Sequence, residues 1–314
     1  MRARTAPLAI STLAVFALVA GCGAEVVPQA DPTQSTATDP SGVGTSSTTS
    51  SPSPTESTSE SAPPDSVWGV VYFAAPAPQG LRLFGEPTAL APTGADQETL
   101  LNAALAAVEQ TPADPDYQTL LPTGGDATIA ANGVARRALT IDIGPESTWT
   151  ERGSLSKSEA ILAVQSVIYT LTASQDRWSP RLYVVQNGVP TTLLGVDTSR
   201  GVRKADFLDV AGLANLLTPV EGTVVTSATL DVDGLSSSFE ATVPWTITDD
   251  SGKTVDQGFF QAEGWLDALY PFSGTIDVAD LAPGSYTLTV STDDPSGGSE
   301  GAGPTRDDRT FVIQ

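Results

Sequence analysis

Around residue 243 apolar and polar side chains alternate position by position: Phe239, Ala241, Val243, Trp245 and Ile247 fall on one parity, Glu240, Thr242, Pro244, Thr246 and Thr248 on the other. A period of two places each set on its own face of an extended chain, so the stretch reads as a strand with one buried face. Such a face needs a partner layer, and the surrounding sequence supplies only more strands. Asp249-Asp250-Ser251-Gly252 turns the chain, and strands are expected at 255–262, 272–278, 286–290 and 310–313. Tyr286, Leu288 and Val290 share one parity, and Pro283-Gly284 punctuates the approach to them. Short strands at this spacing, with no helical period among them, specify an all-β two-sheet sandwich over 215–314.

Upstream, over 67–214, the pattern changes. Val67-Trp68-Gly69-Val70-Val71-Tyr72-Phe73 reads as a buried strand, with Trp68 in the core, and 81–90 as its partner. Thr93 or Asp96 can cap a helix on which Leu101, Leu105 and Val108 recur at helical spacing, and Pro112 and Pro115 end it. A hairpin is expected from 127–131 and 138–143 around Asn132-Gly133. Ser156-Lys157-Ser158-Glu159 is a capping box, followed by an apolar stripe of Ile161, Val164, Ile168 and Leu171. A second hairpin is expected from 181–185 and 191–194 around Asn187-Gly188. The order implies an α+β (mixed α/β) domain with two helices on a largely antiparallel sheet.

The first 21 residues are read as an address. Arg2 and Arg4 precede an apolar run, 8–20, too short to span a bilayer comfortably. The run ends in Val19-Ala20-Gly21-Cys22, and Cys22 is the one cysteine in the chain. The four residues resemble a bacterial lipobox. That resemblance implies a diacylglyceryl group on the Cys22 thiol, cleavage before it, and often acylation of the new amino end. The mature chain would then sit on the cell membrane, lipid-anchored at its extracytoplasmic face, two or three acyl chains sufficing for durable attachment. Residues 22–66 are mostly Ser, Thr, Pro, Gly and a few acids, with almost nothing apolar after Val27 except Val43. They cannot bury enough surface to offset their ordering entropy, so a disordered tether spanning roughly 35 Å is expected.

Composition excludes several functions. The formal charge is -22, two units more negative once Arg2 and Arg4 leave with the leader. A surface of that sign repels nucleic acid and anionic head groups, leaving membrane contact to the lipid. The chain has no histidine, which removes Ser-His-Asp and Cys-His nucleophilic sites and most zinc sites. Ser154-Leu-Ser-Lys157 fits the Ser-x-x-Lys pattern of penicillin-interacting enzymes. No Ser-Asp-Asn follows, however, Lys253-Thr254-Val255 lacks the required glycine, and the helix cap already accounts for these residues. No catalytic residue and no cofactor is assigned.

Two further constellations are weighed. Asp293, Asp294, Glu300, Asp307 and Asp308 are expected in one Gly-rich loop, a solvated acidic loop with calcium as the alternative, although the spacing matches no known loop motif. Trp149, Trp178 and Trp265 lie near expected loops and are the candidate glycan contacts; Trp68 and Trp245 lie in strand patterns and are assigned to the core.

The C-terminal strands carry a resemblance. Leu217-Thr218-Pro219-Val220-Glu221-Gly222, Phe239-Glu240-Ala241-Thr242-Val243, Gly258-Phe259, Pro271-Phe272 and 282–288 resemble the immunoglobulin-like domain attached to bacterial spore-germination proteins. The preceding region resembles GerMN, the sporulation and germination domain, through Val71-Tyr72-Phe73, Leu121-Pro122, Leu139-Thr140-Ile141-Asp142, 166–172 and Val184-Val185-Gln186-Asn187-Gly188. Glu109-Gln110-Thr111-Pro112 departs from that family's usual Gly-Pro. The resemblance implies an immunoglobulin-like sandwich after a GerMN-like domain, in an extracytoplasmic lipoprotein, and offers no catalytic residues. The expected function is a non-catalytic scaffold contacting an envelope protein. The alternatives are a cell-wall glycan-binding module and a hydrolase that works without histidine.

Overall fold

The computed structural model describes residues 66–174, 178–294, 299 and 302–314. The leader, Cys22 and most of the Ser/Thr/Pro-rich stretch lie outside them. No helix of the described residues is long and apolar enough to cross a membrane. The fold is mostly β with few helices.

β1 (Ser66–Ala77) and β2 (Gly80–Pro92) form an antiparallel ribbon. A lone two-strand ribbon leaves both outer edges with unpaired backbone groups. Here both edges are occupied. Along β1, Ala74 exchanges two hydrogen bonds with Gln118, at 2.9 and 2.8 Å. The Tyr72 N–H donates to Thr170 Oγ1 at 2.9 Å, and Ser166 Oγ donates to the Tyr72 carbonyl. Along β2, the Gly212 N–H donates to the Leu83 carbonyl, and Gly85 is held at both its N–H and its carbonyl by side chains of the C-terminal half.

α1 (Gln97–Ala107) begins at Asp96, whose carboxylate accepts from the Thr99 N–H at 2.8 Å. β3 (Ala127–Ala135) and β4 (Ala138–Ile143) follow, antiparallel. Their turn differs from the expected one. Residues 136–137 make it, while Asn132, at φ 54°, and Gly133 form a bulge inside β3. A Cβ on Gly133 would meet the Thr140 and Ala130 carbonyl oxygens at 2.5 and 2.7 Å, so the bulge requires glycine.

α2 (Lys157–Thr172) starts with the Ser156/Glu159 capping box complete. β5 (Arg181–Gln186) returns parallel to β4, making a strand-helix-strand crossover that the hairpin reading missed. Asn187 and Gly188, both at positive φ, turn the chain into β6 (Val189–Pro190). β7 (Thr192–Leu193) pairs with β8 (Val196–Asp197), away from β5, and the short α3 (Phe207–Val210) ends this half. The four-stranded sheet therefore mixes one parallel pair with antiparallel ones. Phe84, Leu105, Leu139, Ile141, Trp149 and Ile168 fill the core it shares with both long helices.

The C-terminal half is a sandwich. β9 (Ala214–Thr218) leads past Pro219 into β10 (Thr223–Val225), which joins the opposite sheet. β11 (Thr229–Ser236), β12 (Thr242–Asp249), β13 (Thr254–Gln261), β14 (Tyr270–Asp277), β15 (Gly284–Ser291) and β16 (Arg306–Ile313) complete it. One sheet runs β14-β11-β9, the other β10-β16-β15-β12-β13. Leu230, Val232 and Phe272 meet Val243, Leu288 and Phe311 between them. At the corner entering β15, Tyr286 OH donates to the Ala282 carbonyl at 2.8 Å, the tyrosine corner of immunoglobulin-like sandwiches.

The alternation that defined this half begins later than expected. Glu240 and Ala241 take positive φ, 51° and 60°, so β12 starts at Thr242 and Phe239 points outward. Ala241, Val243 and Ile247 are buried, with Trp245 half-buried against Phe260.

Candidate functional site

Arg309, on β16, is fully buried and ties the two halves together. Its guanidinium donates to Asp114 Oδ2 at 2.5 Å, Asp307 Oδ1 at 3.2 Å, Tyr117 OH at 2.8 Å and the Gly85, Leu216 and Asp308 carbonyls. Asp307 also accepts from Tyr117 OH at 2.8 Å and from the Leu216 N–H at 2.6 Å. Asn215 repeats the device next door, accepting from the Gly85 N–H and donating to the Gly212 carbonyl. Glu86 holds the 112–117 loop in reach through the Ala113 and Asp114 N–H groups. Arg309 Nε is left without a partner, while the cluster's other buried side-chain polar atoms are satisfied, as a buried charge requires. One cation faces several acids. Burial pushes the Asp114 carboxyl up to about 7 although Arg309 pulls it down. Burial, then repulsion from Asp116 and Asp307, pushes Asp308 up to about 6.

Because this cluster fixes the halves, the surfaces between them have defined walls. One is a groove of about 530 Å³ bounded by Trp68 and Pro87 on the ribbon and by Pro219 and β10 on the sandwich. Trp68, expected in the core, is 52% exposed there. It also edges a smaller apolar cleft of about 250 Å³ against α1 and the end of α2.

A second surface lies at the far side of the sandwich. Phe239 and Trp265 meet edge to face with centroids 5.1 Å apart, both partly exposed. Leu266, 73% exposed at φ 85°, is held by a hydrogen bond from its N–H to Ser237 Oγ. The neighbouring β13 is the end strand of its sheet and presents Phe259, 68% exposed, outward. Gln261, two residues on along the same face, donates to the Glu240 carbonyl beside Phe239.

The candidate glycan contacts separate on burial. Trp149 is 1% exposed, with Nε1 donating to the Pro122 carbonyl at 2.8 Å. It is a core residue, and the expectation that it stacks on a sugar is corrected. Trp178 is half-buried, its Nε1 on the Ala135 carbonyl at 3.2 Å. Trp265 is presented, as is Trp68, which strand patterning alone had placed inside. The lipobox residues Val19, Ala20, Gly21 and Cys22 lie outside the described residues.

The acidic loop does not hold its five acids. Asp307 and Asp308 belong to β16, Asp307 facing the Arg309 cluster, and Glu300 lies outside the described residues. Among the described residues no group of three or more acids, cysteines or histidines is arranged to hold a metal. Ser156, with Glu159, serves the α2 cap, and Lys157 is the first residue of that helix.

Residues 213–299 match the family described as the immunoglobulin-like domain of bacterial spore germination (Gmad2). No curated protein sequence matches the chain. Among solved structures it is similar to CopC from Methylosinus trichosporium OB3b, at 20% identity over 32% of this chain and 93% of that one, with a TM-score of 0.23. An engineered protein matches at 14% identity over 52% of this chain and 39% of its own, with a TM-score of 0.25. A Cellulomonas fimi endo-beta-1,4-mannanase double mutant matches at 14% identity over 56% and 39%, with a TM-score of 0.23. Likenesses this low constrain neither the fold nor the function of this chain.

Proposed function

We propose that the protein is an extracytoplasmic, germination-type interaction module, tethered to the membrane through a lipid on Cys22, that contacts an envelope protein without catalysing a reaction. In this reading 22–66 is the tether, 67–214 a GerMN-like α+β domain and 215–314 the immunoglobulin-like domain. The match of 213–299 to a spore-germination domain supports the class. The observation that carries the contact reading is the apolar surface at β13: Phe239, Trp265 and Leu266 project beside an end strand that presents Phe259. Exposed apolar groups gathered beside an open strand edge suit strand addition by a partner, with backbone hydrogen bonds for affinity and apolar pockets for specificity. The acidic balance disfavours nucleic acid and anionic lipid as the partner.

Photo-crosslinkers placed at Phe259 and at Leu266 in the anchored protein test this. Both positions are expected to capture the same envelope protein, while one at Val134, an exposed apolar residue on β3, captures none. Equal capture from all three positions, or none from the first two, rejects the reading. Cys22→Ala is expected to release the protein from the membrane fraction.

A further inference from the structure

We propose that the groove between Trp68 and the β9–β11 side of the sandwich is a carbohydrate site, taking a neutral, hydroxyl-rich sugar chain with a ring against the Trp68 indole. This goes beyond the protein-contact reading and uses a different surface.

Trp68 is the starting point. Tyr72 and Phe73 on the same strand are buried, whereas Trp68 keeps half its surface in water. Pro87 and Pro219 stand near it in the groove wall, and both lack conformational freedom. A rigid apolar platform of this kind matches the C–H face of a pyranose. The groove volume, about 530 Å³, falls within the range of about 300–1,000 Å³ usual for small-ligand sites, which favour domain boundaries.

The rim decides the chemistry. Thr223 Oγ1 donates to the Val220 carbonyl at 2.7 Å, and Ser227 Oγ donates to the Thr229 carbonyl at 2.6 Å. With those protons committed, the two hydroxyls offer only lone pairs to a ligand. Asp231, which accepts from Thr275 at 3.1 Å, adds a further acceptor. These three acceptors suit a ligand that brings donors, and the Thr218, Thr226 and Thr229 hydroxyls in the same lining can both give and accept, a mixed set that sugar hydroxyls match. A proline-rich segment would also stack on an indole, but it brings carbonyl acceptors and few N–H groups. None of the described residues lining the groove is Lys or Arg, and Asp231 repels anions, so sugars bearing carboxylates are disfavoured.

Calorimetric titration of the full chain in detergent, with a chitin-type N-acetylglucosamine oligomer and with a polygalacturonate oligomer of equal length, tests the site. The neutral oligomer is expected to bind saturably and the polygalacturonate at least about tenfold more weakly, the charge penalty shrinking with added salt. Trp68→Ala is expected to weaken the neutral oligomer about tenfold, from the lost apolar contact. Trp68→Phe retains a ring and is expected to lose less, which separates stacking from any disturbance of β1. Phe259→Ala, which disables the proposed protein contact, leaves sugar binding unchanged. The proposal is overturned by absence of saturable binding, by binding that Trp68→Ala leaves intact, by preference for polygalacturonate, or by a proline-rich or lysine-rich peptide occupying the groove in the sugar's place.

Discussion

Arg309 and Asp114, 195 residues apart, meet at 2.5 Å with both side chains almost completely withdrawn from water. Arg309 belongs to the last strand of the sandwich, and Asp114 to the loop after the first helix of the N-terminal half. The pair converts an exposed edge of the β1-β2 ribbon into an internal contact: the guanidinium that binds Asp114 also takes the Gly85 carbonyl. One side chain thus reads three distant segments at once. The groove at Trp68 inherits its shape from this arrangement.

Removing one partner of such a cluster leaves the others buried and uncompensated. Arg309→Met is expected to cost about 3–5 kcal/mol, lowering Tm by roughly 6–20 °C for a folded region of this size. Arg309→Lys should rescue little, since an ammonium cannot serve Asp114, Tyr117 and two carbonyls in one plane. Thermal melts of the three proteins check this; a lysine variant as stable as the parent would deny the planar fork its role.

The same cluster sets a pH dependence. The charged and titratable groups around Arg309 are Asp114, Asp307, Asp308, Asp116, Glu221 and Tyr117. Asp114 and Asp308 are raised in the folded state, to about 7 and about 6. A carboxyl raised on folding binds its proton more tightly in the native chain, so its stabilisation is full below about pH 4 and is lost as pH rises through 6 and 7. Stability should therefore be lower at pH 8 than at pH 5. Asp308→Asn should flatten the part of that slope between about pH 4 and about pH 6, and urea titrations across the range would show it.

The tryptophans make a paired prediction. Trp149→Ala empties a fully buried site and abandons the hydrogen bond to Pro122, a loss of about 3–5 kcal/mol. Trp265→Ala removes an exposed ring and should stay within about 1 kcal/mol. If the order is reversed, the burial assigned to these residues is wrong.

What could be read in advance followed from the range of the interactions. The Ser156/Glu159 cap and the parity of β15 are local, and both stand as read. Trp68 and Trp149 sort in the wrong direction because neither a strand pattern, for Trp68, nor a place near a loop, for Trp149, says what covers the side chain. Asn132-Gly133 carries a turn signal, but a bulge needs the same left-handed backbone. The Arg309 cluster draws on residues 85, 114, 117 and 216, which no window joins. One sign was nevertheless present: Phe311 and Ile313 fix the buried parity of β16, and on that parity Asp307 and Arg309 are an inward-facing charge pair.

Tyr286 provides a test confined to the sandwich. Its ring stacks on Phe311, centroids 5.7 Å apart, and its hydroxyl closes the corner onto the Ala282 carbonyl. Tyr286→Phe keeps the ring contact and deletes the hydroxyl alone. The carbonyl it abandons sits in an exposed stretch where water can replace the donor. The expected loss is therefore that of one hydrogen bond, about 1 kcal/mol. The urea midpoint should fall with the slope of the transition unchanged, because the surface exposed on unfolding is the same. Tyr286→Ala also removes the stacked ring and should cost about 3–5 kcal/mol. Were the two substitutions equally costly, the hydroxyl would dominate the corner, and the ring's burial between the sheets would contribute far less than its contacts imply.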